Sequence, residues 1–277
     1  MLLMKNIVKK MKVRNYLKRK FPNELLLMKG VHTTHSSNPS IIHFTVHRCA
    51  SQFILNIFKI IEEDSDMTHI QLEGYFWFGG QRYERSKEVY KRFGYMYGPF
   101  YGMDKEELTI PIANLNDFKI FLMLRDPRDV LTSYYLYQAH STYENPAKQE
   151  FLKERNKEVQ AKSIDTWVLE KAPLFKARYE EYLKKLHGKP NVLFLKYEDM
   201  IADFDHWISR LIEFSGLKLR DKTIESIKKT ADFKVAKEDK ASHKRQVTPG
   251  DHKRKLKDET IKVLNVQFEN ILQAFQY

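Results

Sequence analysis

Three short apolar runs recur along the chain, each ending in a polar turn that opens a helix-like stretch. The first is IIHFTV at 41–46. Apolarity and β-branching over six positions predict a strand buried on both faces, as in a parallel sheet. HRCASQ follows, and then FILNIFKIIEE, whose apolar residues at 54, 57, 58 and 61 share one helical face. The second run is FKIFLML at 118–124, broken by RDP and continued by DVLTSYYLYQ, with Pro127 suited to a first helical turn. The third is NVLFL at 191–195, which runs into KYEDM and a helix through 201–214. Polar helices are expected over roughly 146–186, and an amphipathic helix over 257–275. Strands alternating with helices predict an α/β fold: one domain at 41–277, a central parallel sheet flanked by helices, with a P-loop-like strand-turn-helix at its start. Ligands in such sheets bind beyond the C-terminal strand ends. The turns at 47–52 and 125–128 are therefore where a site is expected.

A length of 277 residues, 42% of them hydrophobic, is enough to bury one sizeable core. Residues 1–40 form a basic segment ahead of it; the first 20 hold eight Lys/Arg and no acid. No apolar run approaches the roughly 20 residues that span a bilayer, and none resembles a secretory leader. Leu3, Ile7 and Met11 share helical spacing. They suit either a basic helix in peripheral contact with a membrane or a surface helix packed on the domain. The net charge of +12 favours an anionic partner. That partner could be a nucleotide, a nucleic acid, a membrane surface or an acidic substrate, and charge does not choose among them, although no nucleic-acid motif is recognised. The single cysteine, Cys49, permits no intramolecular disulfide, which suits a cytoplasmic, reducing location, and no metal site is expected. The polar, basic stretch 236–256 reads as a long loop.

The chemistry concentrates at the two turns. In TVHRCASQF (45–53), a strand-to-helix turn presents backbone N–H groups and the positive helix end to an anion. Arg48 adds a fixed charge and Ser51 a hydroxyl donor. The turn lacks glycine and is not a nucleoside triphosphate loop. An ordinary turn carrying a surface arginine is the plainer alternative. Cys49 reads as a small buried thiol, because a phosphatase-type loop needs an arginine where Leu55 stands. In FLMLRDPRDVLTSYY (121–135), Arg125 leaves the strand end and Ser133 lies eight residues on, about two helical turns. A bidentate arginine beside a hydroxyl suits a second phosphate. Asp126 and Asp129 read as capping or dipole-facing acids.

The segment LRDPRDVLTSYY resembles the 3′-phosphate motif of sulfotransferases that use 3′-phosphoadenosine 5′-phosphosulfate (PAPS). TVHRCASQF is similar to their 5′-phosphosulfate loop. There Arg48 stands for lysine, Cys49 for serine, Ala50 for glycine, Ser51 and Gln52 for threonines, and Phe53 for the tryptophan that stacks on adenine. LFLKYEDM resembles the strand whose tyrosine, here Tyr197, approaches the adenine. RQVTPGDHK (245–253) resembles the C-terminal loop that closes on the 3′-phosphate; this implies a contact from Arg245, while Gln246, Val247 and His252 depart from the pattern.

The resemblance implies PAPS as donor, adenosine 3′,5′-bisphosphate (PAP) as product, and in-line sulfuryl transfer to a hydroxyl or amine of a small metabolite. Arg48 would stabilise charge on the bridging oxygen. A carbohydrate acceptor is the alternative. The histidine that cytosolic members use as base has no counterpart in YMYGPFYGMDKEELTIPI. Glu73 is the first candidate base, followed by His69, His47 and Asp104. The aromatic stretches 74–81 and 95–102 either wall an acceptor pocket or fill the core. Two rivals remain: a kinase-like phosphotransferase, which lacks its expected lysine, and a non-catalytic basic binding module, which would bind without nucleotide.

Overall fold

The computed structural model describes residues 11, 13–34, 36–103, 108, 110–140, 149–233 and 247–277. Residues 13–20 form α1, followed by α2 (Pro22–Met28), β1 (Ile41–Thr45), α3 (Ser51–Asp64), β2 (Thr68–Ile70) and α4 (Leu72–Trp77). Then come β3 (Tyr95–Phe100), β4 (Lys119–Leu124), α5 (Pro127–His140), α6 (Gln149–Gln160), α7 (Ile164–Lys185) and β5 (Val192–Lys196). The chain closes with α8 (Tyr197–Ala202), α9 (Phe204–Ser215), α10 (Asp221–Lys229), α11 (Asp251–Lys255), α12 (Asp258–Gln267) and α13 (Glu269–Phe275).

The five strands make one parallel sheet in the order β2-β3-β1-β4-β5. All five β1 residues are buried, as an unbroken apolar run requires. From β1 the chain fills one side of the sheet, then crosses to β4 and fills the other. The switch point therefore lies between β1 and β4, where crevices form in open α/β sheets. Register runs from Ile41 opposite Lys119 to Thr45 opposite Met123. The two strands thus end level, and their following loops emerge side by side.

The three apolar runs are strands to within a residue at each end. Two strands, β2 and β3, go beyond them. β3 uses the aromatic stretch expected to wall a pocket or fill the core. Tyr95, Tyr97 and Phe100 are buried there. The two tyrosine hydroxyls are satisfied: Tyr97 donates to Val89 O (2.8 Å) and accepts from Lys91 N, and Tyr95 accepts from Thr33 N. Gly98 is required by close approach. A Cβ there would lie 2.6 Å from the His43 carbonyl, where the β1–β3 register shifts between Ile42 and Phe44.

The expected helix at 201–214 breaks at Asp203, whose carboxylate accepts from His206 N at 3.0 Å and caps α9. The expected helix at 257–275 breaks at Phe268 into α12 and α13. The expected loop at 236–256 contains α11, entered through Gly250 at φ 80°; residues 234–246 lie outside the described residues. At the other end, Leu17, Phe21, Leu27 and Met28 are buried, and Tyr16 meets Phe78 at 5.0 Å. Residues 13–28 therefore pack on the domain. No helix among the described residues is long and apolar enough to cross a membrane.

Candidate functional site

The loop after β1 bends through two left-handed residues, Arg48 (φ 68°) and Ala50 (φ 53°), before α3 starts at Ser51. Left-handed geometry is normally left to glycine, because a Cβ crowds the carbonyl. This is why a sequence without glycine reads poorly as an anion loop, although its backbone takes the required turn. Cys49 lies between these two residues and is fully buried, and burial pushes its thiol up, out of nucleophile range. Gln52 is exposed on the first turn of α3.

Arg48, Arg125 and Ser133 meet at the level ends of β1 and β4. Arg48 Nε donates to Ser133 Oγ at 3.2 Å, and Arg125 Nη1 donates to the Arg48 carbonyl at 3.3 Å. The Arg48 guanidinium also lies over the Tyr137 ring (4.8 Å), and that of Arg125 over Tyr197 (4.4 Å). Arg125 is buried, and among the described residues its Nε has no hydrogen-bond partner. A buried cation with an orphan donor suits an incoming phosphate oxygen.

Tyrosines from α7 hold the strand ends in place. Tyr182 donates to Thr45 O at 2.6 Å, and Tyr179 donates to Arg125 O. Both are fully buried. Nothing in the sequence points to them, because a tyrosine in a long helix carries no sign of the strand carbonyl it will reach.

Asp129 is more than a dipole-facing acid. It lies four residues beyond Arg125, in the first turn of α5, and one turn before Ser133. It accepts from Gly250 N (2.7 Å), His252 N (2.9 Å) and His252 Nδ1 (2.6 Å), and pairs with Arg125 Nη2 at 3.5 Å. Burial alone would raise its pKa, but the His252 bonds and the Arg125 charge outweigh that and hold it well below the usual carboxylate range. The segment around 247–252 is thereby tied to Asp129, beside Arg125. Tyr197, expected near adenine, adds a further tie, donating to Val247 O at 2.9 Å. Phe53 packs edge-on against Phe204 (5.5 Å) and Phe233 (5.2 Å), giving an apolar wall at the edge of the site. Phe233 was not singled out from the sequence. Arg245 lies outside the described residues.

The candidate bases separate clearly. Glu73 Oε1 accepts from Tyr101 N at 3.0 Å, and the Tyr101 hydroxyl donates to Ser51 Oγ at 2.9 Å. One tyrosine therefore links Glu73 to the anion loop. Burial pushes Glu73 up to about 8, with the Tyr101 N–H and the Arg178 charge pulling the other way. His47 is stacked between Tyr101 (4.2 Å) and Tyr134 (5.2 Å); burial, then the Arg178 and Arg48 charges, lower it to about 3. His69 is bonded to Gly98 O within the sheet and is lowered by burial to about 4. Both imidazoles are neutral and weakly basic. Asp104 lies outside the described residues. Among the described residues, no group of three His, Cys, Asp or Glu is placed to hold a metal ion.

Residues 105–272 match the family model described as a sulfotransferase domain. A guinea pig (Cavia porcellus) 3-beta-hydroxysteroid sulfotransferase is 28% identical over 129 residues, 45% of this chain and 40% of that relative, so less than half of its length is matched. The fold is similar to that of mouse sulfotransferase SULT7A1 complexed with PAP, with TM-score 0.57, 15% identity and 89% coverage of both chains. It is also similar to retinol dehydratase in complex with androsterone and the inactive cofactor PAP, with TM-score 0.52, 16% identity, and 84% of this chain and 80% of that one covered.

Proposed function

This chain belongs to the sulfotransferase domain family, and on that footing we propose that it transfers a sulfuryl group from PAPS to a hydroxyl or amine of a small-molecule acceptor. The observation that carries the reading is the meeting of Arg48, Arg125 and Ser133 at the β1–β4 switch point. Two arginines, a hydroxyl and a helix N-terminus match a donor with phosphate at both ends of its ribose.

PAPS supplies a sulfuryl group activated by its phosphosulfate anhydride. Arg125 and Ser133 would hold the 3′-phosphate, joined by Arg245. The backbone of 48–52 and Ser51 would hold the 5′ end. Phe53 offers an aromatic wall for the purine. Arg48 stabilises the negative charge that grows on the bridging oxygen; a guanidinium cannot readily give up a proton, so it acts through charge alone. Glu73 in its ionised form takes the acceptor proton, and its raised pKa makes that form a stronger base than an ordinary carboxylate. The Tyr101 link keeps Glu73 on the side of the loop where the sulfuryl group would be presented.

A carbohydrate acceptor is the second reading, favoured by a carboxylate standing where no histidine base is found. The lone buried Cys49 supports a cytoplasmic location as part of the proposal. The test is transfer of labelled sulfuryl from PAPS to separate panels of phenols, alcohols, amines and sugars. One panel should be labelled by wild type and not by Arg48→Ala. Equal labelling by the Arg48→Ala protein would remove Arg48 from the mechanism.

A further inference from the structure

Eight basic residues, against a net charge of +12, fall in one stretch of sequence that the transfer reaction does not use. That stretch is the first 20 residues, which hold no acid. The structure fixes which way the described part of this segment points. α1 turns Leu17 inward and leans Tyr16 on Phe78, while Phe21 packs edge-on to Tyr75 at 6.3 Å. Arg14, Lys18, Arg19 and Lys20 are left exposed. The first acid in the chain, Glu24, is buried under Gln71 and so does not offset them.

Exposed apolar side chains lie in and beside these segments. Val13 abuts Gly79, and Trp77 stands nearby, 45% exposed at the end of α4. Lys29 lies over the Tyr83 ring at 6.0 Å, and Arg85 lies against Gly30, so residues 77–85 and the end of α2 belong to this surface. Met11, Leu26, Val31, Trp77 and Tyr83 make up half of the large exposed hydrophobics among the described residues. Within 77–85 the only acid is Glu84. Exposed apolar side chains gathered with cations in adjoining segments mark an interaction surface.

We propose that this face docks on an anionic lipid bilayer, with the cations at the headgroups and Trp77 and Tyr83 at the interfacial level. A nucleic acid would match the charge, but it gives no return for exposing methionine, leucine and valine. A bilayer surface accommodates both: basic residues gain at anionic headgroups, and aromatic and aliphatic side chains gain at the interface. The first ten residues, MLLMKNIVKK, continue the composition, six apolar residues interleaved with three lysines. The contact is electrostatic in reach, so it weakens as salt shortens the screening length. It does not depend on the transfer reaction.

The experiment is co-sedimentation of the full chain with vesicles of phosphatidylcholine alone or mixed with phosphatidylserine. Trp77 gives a second readout, because Trp167 and Trp207 are buried at 2% and 1% exposure and barely sense the solvent. Sedimentation with the anionic vesicles only, reversed by salt and accompanied by a blue shift of emission, is expected. The triple reversal Lys18→Glu, Arg19→Glu, Lys20→Glu should cut partitioning by at least about tenfold, with an unchanged melting temperature showing that the fold is kept. Four outcomes would overturn the proposal: equal binding to both vesicle types, no binding to either, retained binding by the triple variant, or binding to RNA while the anionic vesicles leave the protein in solution.

Discussion

Replacing Asp129 by asparagine changes no shape and one charge, and it should loosen the whole nucleotide side of the molecule. The carboxylate accepts from Gly250 N, His252 N and His252 Nδ1 within 2.9 Å, and it is the buried counter-charge of Arg125. An asparagine retains one oxygen, while its amide group points N–H at one of these donors. Hydrogen bonds to a charged group each contribute about 1.5–3 kcal/mol. Breaking a buried ion pair by removing one partner costs about 3–5 kcal/mol. These contributions overlap, so a total loss of about 3–4 kcal/mol is expected. At roughly 2–4 °C per kcal/mol for a large domain, the melting temperature should fall by about 10 °C. Hydrogen exchange should speed up first at 247–256, the segment tied by these bonds, and PAP affinity should drop as Arg125 loses its orientation. The pH dependence has a definite sign. A carboxylate whose folded pKa is depressed contributes stability above the ordinary range and loses it as pH falls towards the folded value. The deficit of Asp129→Asn should therefore be full at neutral pH and shrink only below about pH 4. An Asn variant with wild-type melting and wild-type exchange at 247–256 would refute the reasoning.

Other changes act on separate elements. Ala50→Gly should raise stability by about 1 kcal/mol by relieving a left-handed alanine, read as a higher melting temperature. Glu73→Gln should abolish most turnover with little change in PAP affinity. In wild type, kcat/KM should climb as pH rises through about 8, where Glu73 ionises, and the Gln variant should lack that limb. Normal turnover in Glu73→Gln would remove the base assignment. Tyr179→Phe leaves the buried Arg125 carbonyl without its donor, a cost of about 1–3 kcal/mol in chemical denaturation; an unchanged midpoint would show that this tie contributes nothing.

The central strands were legible because parallel strands buried on both faces write themselves as continuous apolar runs. β1 and β4 obey that rule; β5, at the sheet edge and mostly half-buried, reads as an apolar run in sequence all the same. β3 does not, since Gly98 and Pro99 read as breakers and tyrosines read as half-polar. Only the neighbouring carbonyls and amides that satisfy Tyr95 and Tyr97, and the His43 backbone that demands Gly98, explain it. The site was legible where one segment carries two of its groups, as with Arg125 just before α5 and Ser133 eight residues on within it. It was opaque where partners come from distant segments. Nothing local in DPRD shows that Asp129 will bind a segment more than a hundred residues away. The link from Glu73 through Tyr101 to Ser51 joins three separate elements, so it appears only once the sheet has brought them together.

The proposed transfer reaction depends on an Arg48–Arg125–Ser133 cluster built for a nucleotide phosphorylated at both the 3′ and 5′ positions. Calorimetric titration with PAP, beside adenosine 5′-phosphate and ATP with magnesium, addresses it directly. The structure predicts tight binding of PAP, a marked loss when the 3′-phosphate is removed, and weak binding of ATP; in Arg125→Ala, PAP should fall to the level of adenosine 5′-phosphate. Equal affinity for PAP and adenosine 5′-phosphate, or an Arg125→Ala protein that binds PAP as wild type does, would contradict the account.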